Sequence, residues 1–345
     1  MRRKIGLAVI GMCLAASGVL ADTSTGRQIP AYVVPVPTTV SPQLQAFLTA
    51  SPASVARKEM PTTNAAWIAA TNPDPAATHA KIVALLERFE LTLTEGKFGG
   101  VHCYIVTPAK PRGGANLLLM HIHGGGYTIG AGEGGLTEAV MVAGAAGITT
   151  ISVDYRMPPD HPYPAPVDDA VSVWKAIAAR WPSKKIGMFG TSTGGAMVLS
   201  VTQRAIAERL RIPDAIFSGT PWSDLTETGD SYFTNRYLDP LIYRGGLGVQ
   251  AAQYANGMDL KDPRLSPIYG SFAHFPPTLL LTGTRDLFLS NTVRVDRKLR
   301  DAGRRSELIV YEGISHAVYL ARIDMPETMT ALHDISQFFH RELRR

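Results

Sequence analysis

The chain has 345 residues, 45% of them hydrophobic and 18% charged, with a formal net charge of +5 at pH 7. That length and composition can bury a sizeable core, and no basic run beyond the N-terminus points to nucleic acid or an anionic membrane. No apolar stretch after residue 21 approaches the ~20 residues that span a bilayer.

Taken in chain order, the first segment has the layout of a secretory signal peptide. Met1-Arg-Arg-Lys4 is basic, Ile5 to Leu20 is apolar and uncharged, and Val19-Leu-Ala21 ends in small residues. Cleavage after Ala21 is expected, and with it export to the periplasm or the medium. The apolar run falls short of a spanning helix, and Met12 is a poor residue to precede Cys13 in lipoprotein processing. Cleavage removes Arg2, Arg3 and Lys4 from the charge balance and Cys13 from the thiol count. Cys103 is then the only cysteine, which excludes an intramolecular disulfide. It lies in the strand-like run Val101 to Val106 and is expected to pack as a small apolar residue.

Residues 22–90 form an N-terminal segment rich in Pro, Thr and Ala. Its short helical pieces are Leu44 to Ala50 and Ala65 to Ala70, followed by a helix from Pro75 to Phe89 with Ile82, Leu85, Leu86 and Phe89 on one face. Strand-like runs at Leu91 to Thr94 and Val101 to Val106 flank a Gly-containing turn. After them strands (Leu117–Ile122, Thr149–Val153, Lys185–Phe189, Ala215–Ser218) alternate with helices (Leu136–Ala146, Pro166–Arg180, Gly194–Leu210). The alternation breaks over residues 223–275, a polar, Gly- and aromatic-rich insertion. It resumes with strand Thr278–Leu281, helix Asn291–Ala302, strand Glu307–Val310 and helix Pro326–Leu343. Short buried strands alternating with helices predict an α/β fold, a mostly parallel sheet covered on both faces, over residues 91–345.

Two glycine clusters sit at strand ends. Gly190-Thr-Ser-Thr-Gly-Gly195 is a G-x-S-x-G on a strand-to-helix turn, the setting in which a serine is held out as a nucleophile. A serine hydroxyl needs a positioned base, and the base an orienting carboxylate. In such a fold they follow in the order Ser, acid, His, after later strands. Ser192, Asp286 and His316 meet that order. His333 and His340 lie within the last helix, His274 precedes a strand, and Asp296 and Asp301 belong to a helix. His121 and His123 lack a further ligand cluster that would complete a metal site. No metal and no cofactor is expected.

The other cluster, His123-Gly-Gly-Gly-Tyr127, follows a buried strand. Charge that develops on a carbonyl oxygen during attack must meet donors already in place. Unobstructed N–H groups of this loop, together with that of Thr193, supply them. A phosphate loop is excluded, because no G-x-G-x-x-G or G-K-[ST] accompanies the cluster.

On HGGGY, on Asp154-Tyr-Arg-Met-Pro-Pro-Asp-His-Pro-Tyr-Pro-Ala165, on GTSTGG and on the acid and His segments, the chain resembles the bacterial hormone-sensitive-lipase-like esterases (family IV). The resemblance covers the chain from about Leu91 onward. It implies an α/β-hydrolase fold with a helical cap, built from the N-terminal segment and the insertion at 223–275. It also implies a carboxylesterase that acts on small esters through an acyl-enzyme, with Gly125 and Gly126 as the loop's oxyanion donors. The commoner elbow is GDSAGG, so Thr191 and Thr193 resemble the GTSAG-type subgroup. Thr193 adds a β-branched side chain beside the oxyanion hole and is expected to shorten the acyl chain accepted. A lactonase or amidase with the same triad stays open, as does a non-catalytic ligand-binding homologue. The expected partners are a small-molecule ester and no nucleic acid, with no stable membrane anchor after cleavage and a homodimer as an open alternative to a monomer.

Overall fold

The structure, a computed structural model, describes residues 26–345 apart from 28, 52–59, 73, 113–115 and 243, and without the side chains of 244 and 245. The expected leader, residues 1–21, lies outside the described residues. Residues 1–35 and 36–345 form separate units, and the described part of the first has neither helix nor strand. Among the described residues no helix is long and apolar enough to cross a membrane.

The second unit opens with three helices, α1 (Pro42–Ala50), α2 (Asn64–Thr71) and α3 (Pro75–Arg88). Each has a capping side chain: Ser41, Thr63 and Asp74 accept the N–H groups of Leu44, Ala66 and Ala77. The cap at Ser41 and a proline in the first turn start α1 two residues before its apolar pattern becomes visible.

A sheet follows, made of β1 (Leu91–Phe98), β2 (Val101–Pro108), β3 (Leu117–Ile122), β4 (Thr150–Val153), β5 (Lys185–Thr191), β6 (Ala215–Gly219), β7 (Thr278–Gly283) and β8 (Ser306–Tyr311). Its spatial order is β1-β2-β4-β3-β5-β6-β7-β8. The β1–β2 and β2–β4 pairs are antiparallel, and the pairs from β4 to β8 are parallel. Parallel neighbours need crossovers, and α4 (Leu136–Ala146), α5 (Ala165–Arg180), α6 (Thr193–Ala207) and α9 (Leu289–Asp301) provide them, except between β6 and β7, where the segment that contains the insertion at 223–275 crosses over. The chain closes with α10 (Pro326–Leu343).

Alternating strand residues feed two cores. Leu118, Met120, Ile122, Ile186, Met188 and Leu280 join one cluster with α5, α6 and α9. Leu117, Leu119, Phe189, Leu279 and Leu281 join the other with α3, α4 and α10. Central strands buried on both faces explain why their sequences are continuous apolar runs rather than alternating ones. Cys103 is fully buried in the first core, and burial pushes its thiol up to about 12. It packs as expected and is not a reactive thiol.

β5 runs two residues past Phe189, because Gly190 and Thr191 still pair with Ser218 and Gly219 of β6. The insertion at 223–275 contains α7 (Ser231–Thr234) and α8 (Arg244–Ala255) and no strand among its described residues. It meets the N-terminal helices directly. Trp67 Nε1 donates to Gln253 Oε1 (3.1 Å), and Gln253 Nε2 donates to the carbonyl of Pro61 (2.8 Å).

Leu119 sits in the middle strand and has no exposure. Leu119→Ala is expected to cost about 2–5 kcal/mol in denaturant unfolding. A loss well under 1 kcal/mol would contradict a close-packed centre at this position.

Candidate active site

β5 ends in the serine turn. Ser192 has φ 65° and ψ −125°, a conformation that side chains rarely adopt. Its N–H donates to Gly219 and its carbonyl accepts the N–H of Trp222. Neither Gly190 nor Gly194 has room for a side chain: an added Cβ would lie 2.3 Å or 2.1 Å from the carbonyl oxygen of Ile122. The glycines therefore let β3 and the first turn of α6 close on the elbow, which leaves Ser192 facing a cleft.

Beneath the elbow lies a buried polar chain with no counterpart in the sequence reading. Thr191 Oγ1 donates to Glu138 Oε1 (2.6 Å), so the Tyr319 hydroxyl, also 2.6 Å away, must donate to Thr191. Glu138 Oε2 meets His121 Nε2 at 3.2 Å, and His121 Nδ1 meets Ser152 Oγ at 2.8 Å. His121 and Ser152 are sealed inside the sheet, so the pair supports β3 and β4 and meets no substrate. Thr191, which departs from the commoner aspartate, is the group that ties the elbow to this chain.

The structure brings the other two predicted residues to the same edge. Asp286 follows β7 and His316 follows β8, at the carboxyl ends of parallel strands, where open α/β sheets bind ligands. His316 Nδ1 lies 3.2 Å from Asp286 Oδ1. Asp286 is wholly buried and fully partnered, accepting also from Phe288 N–H (2.8 Å) and Thr282 Oγ1 (2.6 Å). These donors fix the carboxylate and hold it as an acceptor for the imidazole. Phe288 packs edge-on against the His316 ring at 4.8 Å.

The HGGG loop leaves β3 beside the elbow. Burial lowers the His123 pKa to about 4, so its ring is neutral at pH 7, and its Nδ1 donates to the carbonyl of Gly124 at 2.8 Å. The ring stacks on Tyr155 at 4.1 Å, and the Tyr155 hydroxyl donates to the His123 carbonyl. Gly125 has φ 114°, and a Cβ there would lie 2.1 Å from the carbonyl oxygen of Ile129. Only glycine fits that turn. The N–H groups of Gly125, Gly126 and Thr193 donate to no acceptor among the described residues. Thr193 opens α6, where the helix dipole adds partial positive charge.

One expectation is corrected. The Thr193 side chain is fully buried and is not part of the cleft wall, so it does not set the length of an acyl pocket. The cleft, about 790 Å³, is walled instead by Trp222, Phe288, Ile242, Leu247, Trp67 and Met60. Trp222 and Phe288 stack at 5.7 Å. Among the described residues no group of three His, Cys, Asp or Glu side chains is placed to hold a metal.

Comparison with known proteins agrees with this fold. The model of a family described as alpha/beta hydrolase fold matches residues 119–320. The crystal structure of an esterase, E25, is 36% identical, with a TM-score of 0.87 over 92% of this chain and 99% of that one. An esterase from the bacterial hormone-sensitive lipase family is 25% identical, with a TM-score of 0.75 over 88% of this chain and 99% of that one. An esterase of Acinetobacter venetianus is 28% identical over 66% of this chain and 76% of its own.

Gly125→Ala is expected to displace the donor loop and lower kcat by about 10²–10³-fold, the loss typical of a missing oxyanion donor. KM should change far less. Turnover within twofold of the parent would show that this loop does not serve the oxyanion.

Proposed function

Because the chain belongs to the bacterial hormone-sensitive-lipase-like esterases of the α/β-hydrolase fold and is a serine carboxylesterase, we propose that Ser192, His316 and Asp286 carry the reaction and that short acyl esters are its substrates. The observation that carries the reading is that a strained Ser192 and an Asp286-anchored His316 line one cleft. The GTSTGG elbow is the ground for grouping the chain with the GTSAG type.

In the proposed reaction His316 takes the Ser192 proton as Oγ bonds to the ester carbonyl carbon. The carbonyl oxygen gains negative charge and meets the N–H groups of Gly125, Gly126 and Thr193. Collapse expels the alcohol, which receives the proton from His316, and leaves an acyl-Ser192 ester. Water then attacks the acyl carbon. His316 takes its proton and returns it to Ser192 as the acid departs. Asp286 holds the imidazole tautomer that makes both transfers work and stabilises the imidazolium between them.

Chain-length preference follows from the walls. Each buried CH₂ contributes about 0.8 kcal/mol while room remains, and further length then costs strain or exposure. Bulky Trp222 and Phe288 wall the cleft that holds Ser192, which supports a limit on acyl length, and the range of about two to six carbons is what the resemblance to the family implies. An amide leaving group uses the same residues, and the ester assignment rests on the relatives rather than on the triad.

The reading is tested by kcat/KM along an acyl-length series of p-nitrophenyl esters. A rise followed by a collapse is expected, and His316→Ala should lower turnover by several orders of magnitude throughout. Efficiency that climbs steadily to long chains would overturn the size preference, and an active His316→Ala would overturn the base. We also propose export after cleavage at Ala21, supported by the basic-apolar-small layout of the leader. Intact mass of the chain recovered outside the cytoplasm should place its N-terminus at Asp22. An intact Met1 terminus there would contradict cleavage.

A further inference from the structure

The insertion at 223–275 does more than wall the cleft. Between α7 and α8 it passes the two turns that carry Asp286 and His316 and bonds to both. Asn235 Nδ2 donates to the carbonyls of Thr284 (3.1 Å) and Asp286 (2.9 Å). Asp239 has no exposure, and its two oxygens face different parts of the site. Oδ2 accepts the N–H of Leu287, next to Asp286, at 3.0 Å, and the N–H of His316 itself at 3.1 Å. Oδ1 accepts the N–H groups of Leu241 (3.0 Å) and Ile242 (3.3 Å), two residues of the cleft wall.

We propose that Asp239 is a positioning residue: one of its oxygens sets the spacing of the acid and base turns, and the other ties that spacing to the cleft wall. The proposal rests on the assignment of Asp286 and His316 as acid and base. The acid–base side-chain contact is a single 3.2 Å bond. Lower down, the two turns are joined by the N–H groups of Thr284, Arg285 and Gly313, which donate to the Tyr311 carbonyl (2.9 Å), the Ile314 carbonyl (3.1 Å) and Thr284 Oγ1 (2.9 Å). Those bonds end at Arg285 and Ile314, so the ends of the turns that carry Asp286 and His316 need a further anchor, and a misplacement near 1 Å can cost about 10²-fold in rate. A buried carboxylate that accepts two N–H groups from different loops supplies that anchor.

The same carboxylate adds charge. The ionisable groups that face Asp239 are His316 and Asp286. Burial raises the Asp239 pKa to about 6, so at pH 7 it is mostly ionised. Its negative charge favours the imidazolium that forms during turnover. The anchor weakens as pH falls through about 6, because a protonated carboxyl offers fewer acceptor positions.

Asp239→Asn keeps the shape but offers one accepting oxygen and one amide that cannot accept. One pair of N–H groups is then left without a partner. With p-nitrophenyl acetate as probe, kcat is expected to fall about 10–100-fold while KM stays within about threefold. The acid limb of kcat/KM should move to lower pH, since one of two carboxylates near the imidazole no longer carries charge. A merely structural role would lower the melting temperature and leave that limb in place. Unchanged kcat and an unmoved limb, beside an inactive His316→Ala, would overturn this proposal alone. An active His316→Ala would overturn it together with the base assignment. Should Asp239→Asn fail to fold, Asn235→Ala decides: about a 5–20-fold fall in kcat at constant KM is expected, and parent-like kcat overturns the proposal.

Discussion

The backbone of Ser192 is the constraint on which the site depends. A left-handed φ at a non-glycine residue costs about 1–3 kcal/mol and persists only where the surroundings over-determine it. Here they do so from every side. The sheet holds the turn through Gly219, the chain beyond β6 returns through Trp222, and Thr191 is fastened to Glu138 and Tyr319. Glycines 190 and 194 then allow β3 to close against the turn. That closeness is what brings the HGGG loop beside the serine, so one tight packing decision serves both the proposed nucleophile and the proposed oxyanion donors.

The rest of the fold distributes chemistry along one edge. β3, β5, β7 and β8 each deliver one part of the proposed site: donor loop, serine, acid and base. The turns that hold Asp286 and His316 leave neighbouring strands and are hydrogen-bonded to each other below the 3.2 Å contact between the two side chains. Rigidity at this edge is therefore supplied from above, by the insertion, as well as from below, by the sheet. The insertion thereby links Leu241 and Ile242 of the cleft wall to the turns that hold the proposed acid and base.

The parts legible in the sequence were those with strong local rules. Buried parallel strands are continuous apolar runs, so the α/β alternation was readable, and glycine clusters at strand ends marked the two loops. Element ends were less readable because caps and sheet pairing decide them: Ser41 begins α1 early, and β6 extends β5 through Thr191. Side-chain direction was not readable at all. Thr193 stands next to the nucleophile in sequence, yet the first turn of α6 buries its side chain away from the cleft. Glu138, Tyr319, Asn235 and Asp239 follow no motif, since they matter through contacts 48 to 128 residues away along the chain. Only the folded chain brings such partners together.

The central claim is that Ser192 is the activated nucleophile of this cleft. Mass spectrometry after reaction with a fluorophosphonate tests it most directly, because an activated serine accepts the phosphonyl group and an ordinary one does not. One adduct per chain is expected, on the peptide that contains Ser192, and it should vanish in Ser192→Ala. No adduct, or an adduct retained by Ser192→Ala on another residue, would contradict the account.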